Sequence, residues 1–212
     1  MMNPTLENKK IAILATDGFE ESELLKPKAA LEEAGAEVTV VSLEPGEITS
    51  WKNGNWGGKV IVNATIKDVS AMEFDGLMLP GGVINADTLR INKQASDFVF
   101  DFAEAGKPIA AICHGAWILI ETGYVKGKTL TSWPSLKTDL MNAGAIWKDE
   151  ECIVDQGFIT SRKPSDIPEF NLKMIREFSG SSQKSAPLPG LTGDFKEKNQ
   201  KTSSQAELLR KT

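Results

Sequence analysis

Residues 108–115 read P-I-A-A-I-C-H-G, an apolar run that ends in a cysteine, a histidine and a glycine. The apolar part predicts a buried strand, and Gly115 and Ala116 open a helix after it. Ala111 and Gly115 stand two positions before and two after Cys113, which is the steric pattern of a G-x-S-x-G nucleophile elbow with Cys in place of Ser. Backbone comes close on both sides of such a turn, so only small side chains fit there. The stretch therefore predicts a sulfur exposed at a strand-to-helix turn.

Cys113 is the predicted nucleophile of this turn. The N-terminus of the following helix carries partial positive charge, which favours the thiolate over the thiol. The alternative is a buried, inert cysteine that acts as a small apolar residue. His114 is the only histidine in the chain and is a candidate base or proton donor. The alternative for His114 is a residue at the helix start that faces elsewhere, because sequence neighbours do not normally point the same way.

Strands and helices alternate along the rest of the chain. Residues 11–15 predict a strand, 20–34 a helix and 37–43 a second strand, which begin a parallel sheet with a right-handed crossover. Pro27 is predicted to fall in the first turns of that helix, and Gly35 to end it. The other predicted elements are a turn-rich hairpin tip at 51–58, strands at 60–62, 74–79, 108–112, 130–131, around 147 and 153, and at 158–160, and helices at 93–105, 114–122, 134–142 and 168–178. This pattern predicts an α/β fold with a doubly wound, mostly parallel sheet and helices on both faces.

The composition divides the chain of 212 residues into two parts. Residues 1–180 are predicted to form one α/β domain. Residues 181–212 are rich in Ser, Lys, Pro and Gln and contain few large apolar groups, which is typical of a disordered tail.

Charge and hydropathy narrow the function classes. The net charge of -5 and a pI near 5.1 argue against a nucleic-acid partner and give no reason to expect attraction to an anionic membrane. The first ten residues lack the apolar core of a signal peptide, and no stretch approaches the roughly 20 apolar residues of a membrane span. We therefore expect a cytoplasmic protein with reduced thiols. Two cysteines and one histidine without a CxxC motif do not suit a zinc site, and no cofactor is expected.

Three acidic residues follow the first predicted strand. Ligands of open α/β sheets bind beyond the carboxyl ends of the strands, so Glu20, Glu21 and Glu23 are candidate site residues. They complement the helix dipole, which alone explains acidic residues at that position. Alternatively, one of their carboxylates reaches Cys113 and shares a proton with it. Sequence spacing does not choose among the three.

Two glycines follow the predicted strand at 74–79. Gly81 and Gly82 form a turn, and they also offer unhindered backbone N–H groups for an oxyanion hole. The second cysteine, Cys152, lies between acidic and apolar neighbours and is predicted to be structural.

The three strand ends together resemble the ThiJ/PfpI family, which includes protein deglycases and PfpI-type intracellular proteases. The similarity runs from about residue 9 to about residue 178. It is carried by the stretches D-G-F-E-E-S-E at 17–23, F-D-G-L-M-L-P-G-G at 74–82, G-K-P-I-A-A-I-C-H-G at 106–115, T-S-W-P-S-L-K-T-D-L-M-N-A-G-A at 131–145 and I-T-S-R-K-P-S-D at 159–166.

The resemblance implies a flavodoxin-like sandwich in a homodimer or larger homo-oligomer. It implies that Glu23 contacts the Cys113 thiol, and that the backbones of Gly82 and His114 form the oxyanion hole. In PfpI-type members the histidine joins a triad whose acid comes from a neighbouring subunit, and Asp87 is the matching candidate here. Glutamine amidotransferases share the fold but need a downstream His-x-Glu, and this chain has no second histidine.

The leading hypothesis is a cofactor-free cysteine enzyme of stress response that acts on reactive aldehydes or their protein adducts, as a deglycase or glyoxalase III-like enzyme. One alternative is a PfpI-type intracellular cysteine peptidase acting on peptides. The other is a non-enzymatic redox sensor or stress chaperone, since an exposed thiolate of low pKa is readily oxidised.

Overall fold

The computed structural model describes residues 5–180, so the predicted tail at 181–212 lies outside the described residues. Within 5–180, the strands are β1 (Lys10–Leu14), β2 (Phe19–Glu20), β3 (Glu37–Ser42), β4 (Glu47–Lys52), β5 (Asn55–Ile61), β6 (Ala64–Thr65), β7 (Gly76–Leu79), β8 (Ile109–Ile112), β9 (Thr129–Leu130), β10 (Ile146–Trp147), β11 (Cys152–Asp155) and β12 (Phe158–Ser161). The α-helices are α1 (Glu21–Glu33), α2 (Val83–Ile91), α3 (Lys93–Glu104), α4 (Lys137–Asn142) and α5 (Ile167–Phe178). Short 3-10 helices lie at Ala71–Glu73, Pro134–Leu136 and Pro164–Asp166, and a longer one at Cys113–Thr122.

The main sheet has seven strands in the order β11-β12-β8-β7-β1-β3-β6. Its strands pair in parallel except for β11, which is antiparallel to β12 at the edge. The order β3-β1-β7-β8-β12 is the flavodoxin-like order of a doubly wound sheet. The predicted fold class is therefore confirmed. Because β1, β7 and β8 are neighbours and parallel, the three turns that follow them meet at one edge of the sheet.

The sheet is buried on both faces. Its central strands are continuous apolar runs, as parallel strands covered on both sides require, and β7 and β8 are buried at every position. On one face the core includes side chains of α3 and of the 3-10 helix at Cys113–Thr122. On the other face the core includes side chains of α1 and α5, together with Cys113 itself.

The predicted hairpin is present as β4 and β5, which pair antiparallel and form a small three-stranded sheet with β2. Its tip is shorter than predicted, because residues 51–52 and 55–58 belong to the two strands. Asn53 and Gly54 at its tip both have positive φ, at 49° and 82°. Positive φ at both central residues is the geometry of the tight turn that matches the twist of a hairpin, and Asn-Gly suits it.

Three features differ from the sequence predictions. Pro27 is the seventh residue of α1 and so lies inside the helix, where it donates no hydrogen bond to the Glu23 carbonyl. The helix after β8 is wound as a 3-10 helix and starts at Cys113 itself. Residues 83–91 form α2, which was not predicted because the buried polar side chain of Asn85 interrupts the apolar period on its inner face.

Helix α2 is held in place by Asn85. The Asn85 side-chain amide donates to the carbonyl oxygens of Pro80 and Gly81, and its oxygen accepts from the Thr16 N–H at 2.8 Å. This side chain thus joins the ends of β1 and β7, where the predicted site lies. None of the helices in residues 5–180 combines the length and apolar composition needed to cross a bilayer.

Candidate active site

Cys113 lies at the carboxyl end of β8 in the left-handed region of the backbone map, with φ at +60°. This conformation costs a residue with a Cβ about 1–2 kcal/mol, and backbone strain of this kind is common at functional turns. The backbone N–H groups of His114 and Gly82 are directed at the sulfur. The residue is only 7% exposed, so the predicted exposure of the sulfur is wrong within one chain: the turn is present, but Cys113 packs into the core beside β8.

Gly115 explains why the residue two positions after the cysteine has to be small. A Cβ at Gly115 would lie 2.3 Å from the Leu79 carbonyl oxygen and 2.9 Å from that of Pro80. The close approach is therefore made by the end of the neighbouring strand β7.

The Gly81-Gly82 turn packs equally closely against the loop after β1. Gly82 has φ at +94°, and a Cβ there would lie 2.2 Å from the Gly18 carbonyl oxygen. A Cβ at Gly81 would lie 2.2 Å from a Glu23 carboxylate oxygen and 2.7 Å from the Cys113 Cβ. Only glycines allow these three segments to meet with a backbone N–H facing the sulfur.

The three acidic residues after β1 have three different environments. Glu20 caps α1, since its carboxylate accepts from the Glu23 N–H at 2.9 Å and from the Ser22 hydroxyl. Glu21 binds the β4–β5 hairpin through Ser50, the Gly58 N–H and Lys52, and these contacts lower its pKa to about 2. Glu23 is fully buried. Its carboxylate accepts from the Gly81 N–H at 3.1 Å and contacts the Cys113 thiol. Tertiary packing thus selects Glu23.

The Glu23 carboxyl keeps its proton at neutral pH. Burial, with the nearby charge of Glu20, raises the pKa of Glu23 to about 8, while hydrogen bonds with Cys113 and Gly81 partly oppose the shift. Because this buried carboxyl is neutral, it has a proton to donate and carries no negative charge that would repel a thiolate.

A helix N-terminus is expected to lower the pKa of a nearby thiol, but the net effect of the surroundings of Cys113 is the opposite. Burial raises the pKa of the Cys113 thiol, and an ionised Glu23 raises it further. The N–H groups of His114 and Gly82 act in the opposite direction. Because Cys113 and Glu23 are in contact, they titrate as a pair. Near neutral pH these shifts favour a proton on both groups, so formation of the thiolate requires a base.

The His114 imidazole lies beside the sulfur, although the side chains of sequence neighbours normally point in different directions. The Nδ1 atom is 3.3 Å from the Cys113 Sγ, and Nε2 is 3.3 Å from the Ser135 hydroxyl oxygen. The Trp133 ring is stacked on the imidazole, with centroids 5.9 Å apart and planes 28° apart. Burial lowers the pKa of His114, which favours the neutral imidazole that a base requires.

Asp87 is not part of this cluster within one chain. It is exposed on α2, and within residues 5–180 its side chain makes no hydrogen bond or ion pair. The structure therefore brings together Cys113, His114, Glu23 and Gly82 but leaves Asp87 apart. A contact between Asp87 of one subunit and His114 of another stays a prediction.

Two contacts of the cluster were not predicted as site residues. Trp133 and Ser135 follow the short strand β9. One sequence signal points to Ser135: a hydroxyl residue follows Pro134 in the turn beyond a strand, where ligands of α/β sheets bind. Cys152 is buried on β11, on the edge of the sheet, with a free thiol.

The chain is similar to several known proteins over the part that carries this site. It is 44% identical over 168 residues to "Putative cysteine protease YraA" of Bacillus subtilis strain 168, covering 79% of this chain and 97% of that protein. It is 39% identical over 170 residues to "Protein/nucleic acid deglycase 2" of Escherichia coli K12, covering 80% and 97%.

Among solved structures, the DJ-1/ThiJ/PfpI-like part of a two-domain protein from Anabaena variabilis, which also has a ferritin-like domain, matches with a TM-score of 0.76 and 32% identity. The match covers 86% of this chain and 52% of that protein. Residues 9–177 match the model of the DJ-1/PfpI family, a range that includes every residue of the cluster. The chain with this cysteine turn therefore belongs to the DJ-1/PfpI family.

Proposed function

We propose that the protein is a cofactor-free cysteine enzyme that acts on small reactive aldehydes or their early adducts with proteins. The observation that carries the proposal is the Cys113 turn, in which a strained cysteine has two backbone N–H donors and a protonated carboxyl at its sulfur. The relative named deglycase supports the same chemistry.

In the first step the Cys113 thiolate attacks the aldehyde carbon of methylglyoxal. A bond forms between sulfur and carbon, and the carbonyl electron pair moves to the oxygen. The N–H groups of Gly82 and His114 stabilise that oxyanion, and Glu23 delivers its proton to give a neutral hemithioacetal.

In the next steps the carbon-bound proton of the hemithioacetal is transferred, with His114 as base, to the adjacent carbonyl carbon through an enediol. The aldehyde carbon is thereby oxidised to a thioester while the ketone is reduced to an alcohol, so no external oxidant is needed. Water then hydrolyses the thioester: its oxygen bonds to the carbonyl carbon as the carbon–sulfur bond breaks, which restores the thiol, and the proton of the new carboxylic acid returns to Glu23 as lactate is released. The sum is methylglyoxal plus water giving lactate and a proton.

The test is conversion of methylglyoxal to lactate by the purified protein and by Cys113→Ala. We expect the variant to fall to the rate of the buffer control, because it lacks the nucleophile, and to keep its circular dichroism spectrum. Cys152→Ala is the matched control, since its thiol is also buried but lies on β11, and it should keep wild-type turnover. Wild-type turnover in Cys113→Ala would reject the mechanism.

A second candidate function is that of a cysteine peptidase. It is favoured by the His114 Nδ1 atom at 3.3 Å from the Cys113 Sγ, because a peptidase needs an acid to protonate the leaving amine. The Bacillus subtilis relative whose name includes cysteine protease supports it too. Protein that cleaves no peptide of a panel of short sequences while it consumes methylglyoxal would exclude this candidate.

We further propose that the protein forms a homodimer or larger homo-oligomer and acts in the cytoplasm. Three apolar side chains on α2, those of Val83, Ile84 and Ile91, are between 43% and 79% exposed. Apolar side chains exposed on one helix are typical of an interface. Asp87 lies on the same helix, so an interface there places it near another subunit.

A further inference from the structure

The two ring nitrogens of His114 have different partners. Nδ1 faces the Cys113 sulfur and Nε2 faces the Ser135 hydroxyl, each at 3.3 Å. In residues 5–180 no carboxylate forms a hydrogen bond or ion pair with either nitrogen. The group that orients the imidazole within one chain is therefore a hydroxyl.

This arrangement is compatible with the tautomer in which His114 is a base toward sulfur. In a neutral imidazole one nitrogen carries the proton and the other has a free lone pair. His114 can accept the proton of the Cys113 thiol only if Nδ1 has the lone pair, and then Nε2 carries the hydrogen. The Ser135 hydroxyl can accept that N–H, whereas in the other tautomer it would donate to Nε2. The imidazolium, which carries a hydrogen on both nitrogens, needs the Ser135 oxygen as an acceptor.

Ser135 is held at a fixed place relative to the cysteine. The Trp133 N–H donates to the Cys113 carbonyl oxygen at 3.2 Å, which ties this segment to the strained turn. The Leu136 N–H donates to the Trp133 carbonyl oxygen at 3.0 Å, and the Leu136 side chain is buried in the core. Ser135 lies between these anchors. The Trp133 ring stacked on His114 fixes the plane of the imidazole.

Within residues 5–180, the imidazole is also in contact with aromatic rings. Trp117 lies on another side of it, with ring centroids 6.5 Å apart. The Trp117 N–H donates to Asp139, and Arg90 lies over the Trp117 ring and pairs with Glu121. Around the sulfur, Glu23 is the second ionisable group in contact with Cys113 within residues 5–180, beside His114.

We propose that Ser135 is a positioning residue that keeps His114 in the Nε2–H tautomer, with the Nδ1 lone pair directed at Cys113. When the thiol proton moves to Nδ1, the imidazolium keeps its Nε2–H hydrogen bond to Ser135, and loss of the Nδ1 proton to water restores the tautomer that is a base toward sulfur. The inference rests on the proposed role of Cys113 as nucleophile, because only then does His114 have a proton to take.

The experiment uses the full chain with 15N-labelled histidine. Since the chain has one histidine, both ring nitrogen signals belong to His114. Three quantities are measured: the tautomer of His114, the alkylation of Cys113 by iodoacetamide from pH 5 to pH 10, and methylglyoxal turnover. The proteins compared are the wild type, Ser135→Ala, Ser135→Thr and Asp87→Asn. Ser135→Thr keeps the hydroxyl and is the matched control.

We expect the wild type to show the Nε2–H tautomer and Ser135→Ala to show a mixture of both. Alkylation at pH 7 and kcat should fall about tenfold in Ser135→Ala, the effect of losing one hydrogen bond to a charged group, with KM unchanged. Ser135→Thr should restore all three measurements.

The proposal is overturned if Ser135→Ala keeps the wild-type tautomer and alkylation profile. It is also overturned if Asp87→Asn alone changes them, since the acid of another subunit would then orient His114. Tautomer and alkylation need no aldehyde, so a protein that shows both expected changes but converts no methylglyoxal would reject the proposed function and leave the assignment of Ser135 intact.

Discussion

Replacing Gly115 by alanine should leave little folded protein and no aldehyde turnover. The added Cβ would lie 2.3 Å from the Leu79 carbonyl oxygen and 2.9 Å from that of Pro80. Both oxygens belong to the backbone at the end of β7, so neither can move away as a flexible side chain does. To make room, β7 and the 3-10 helix at Cys113–Thr122 have to separate inside the core. Overpacking of this kind costs typically 1–3 kcal/mol and more where backbone is involved, a large part of the stability of a domain.

Gly123→Ala is the matched control, because Gly123 ends the same 3-10 helix. It has φ at +73°, and a Cβ there would meet no atom within 4 Å. Its expected effect is the strain of one left-handed residue, about 1–2 kcal/mol. Thermal unfolding and soluble yield measure both variants. If Gly115→Ala is as stable as Gly123→Ala, the close approach of β7 does not account for the small residue in the motif.

Glu23→Gln should stabilise the protein at pH 8.5 far more than at pH 5. In the unfolded chain Glu23 has its ordinary pKa near 4.5, and in the folded protein burial raises that pKa to about 8. Between these values the folded state binds a proton that the unfolded state has lost, so the stability of the wild type falls as the pH rises from about 4.5 to about 8. The shift corresponds to on the order of 5 kcal/mol. Glutamine does not ionise, so the variant does not lose stability in this way as the pH rises.

The measurement is the free energy of unfolding in urea at both pH values. Glu33→Gln is the matched control, because Glu33 is an exposed residue of the same helix, and its difference from the wild type should be equal at the two pH values. A pH-independent difference for Glu23→Gln would mean that Glu23 is ionised in the folded protein. The site would then lack the protonated carboxyl at its sulfur.

The fold could be predicted almost entirely from local patterns. Parallel strands covered on both faces appear as short continuous apolar runs, and β1, β7 and β8 are of this kind. The element that was missed, α2, is the one whose inner face carries a buried polar residue, Asn85. The position of Pro27 was wrong although the predicted helix bounds were close: a helix that begins at residue 20 or 21 has more than one full turn before the proline, so Pro27 lies inside it.

The site was only partly predictable, because its members come from separate segments. The turn at Cys113 has a sequence pattern of its own, and the structure contains that turn. The choice of Glu23 over Glu20 and Glu21 depends on which carboxylate is buried against the sulfur. Ser135 contacts His114 only because the segment after β9 packs over the end of β8.

By itself, then, the sequence determined a doubly wound sheet and a cysteine at a tight turn beyond β8, since both depend on residue size and polarity within a few neighbouring positions. The tertiary structure decided which carboxyl and which hydroxyl reach Cys113 and His114. It also decided the direction of the pKa shifts, because burial is a property of the packed chain and outweighs the helix terminus that the sequence shows. The end of β7 lies against Gly115, which explains why the motif requires a small residue two positions after the cysteine.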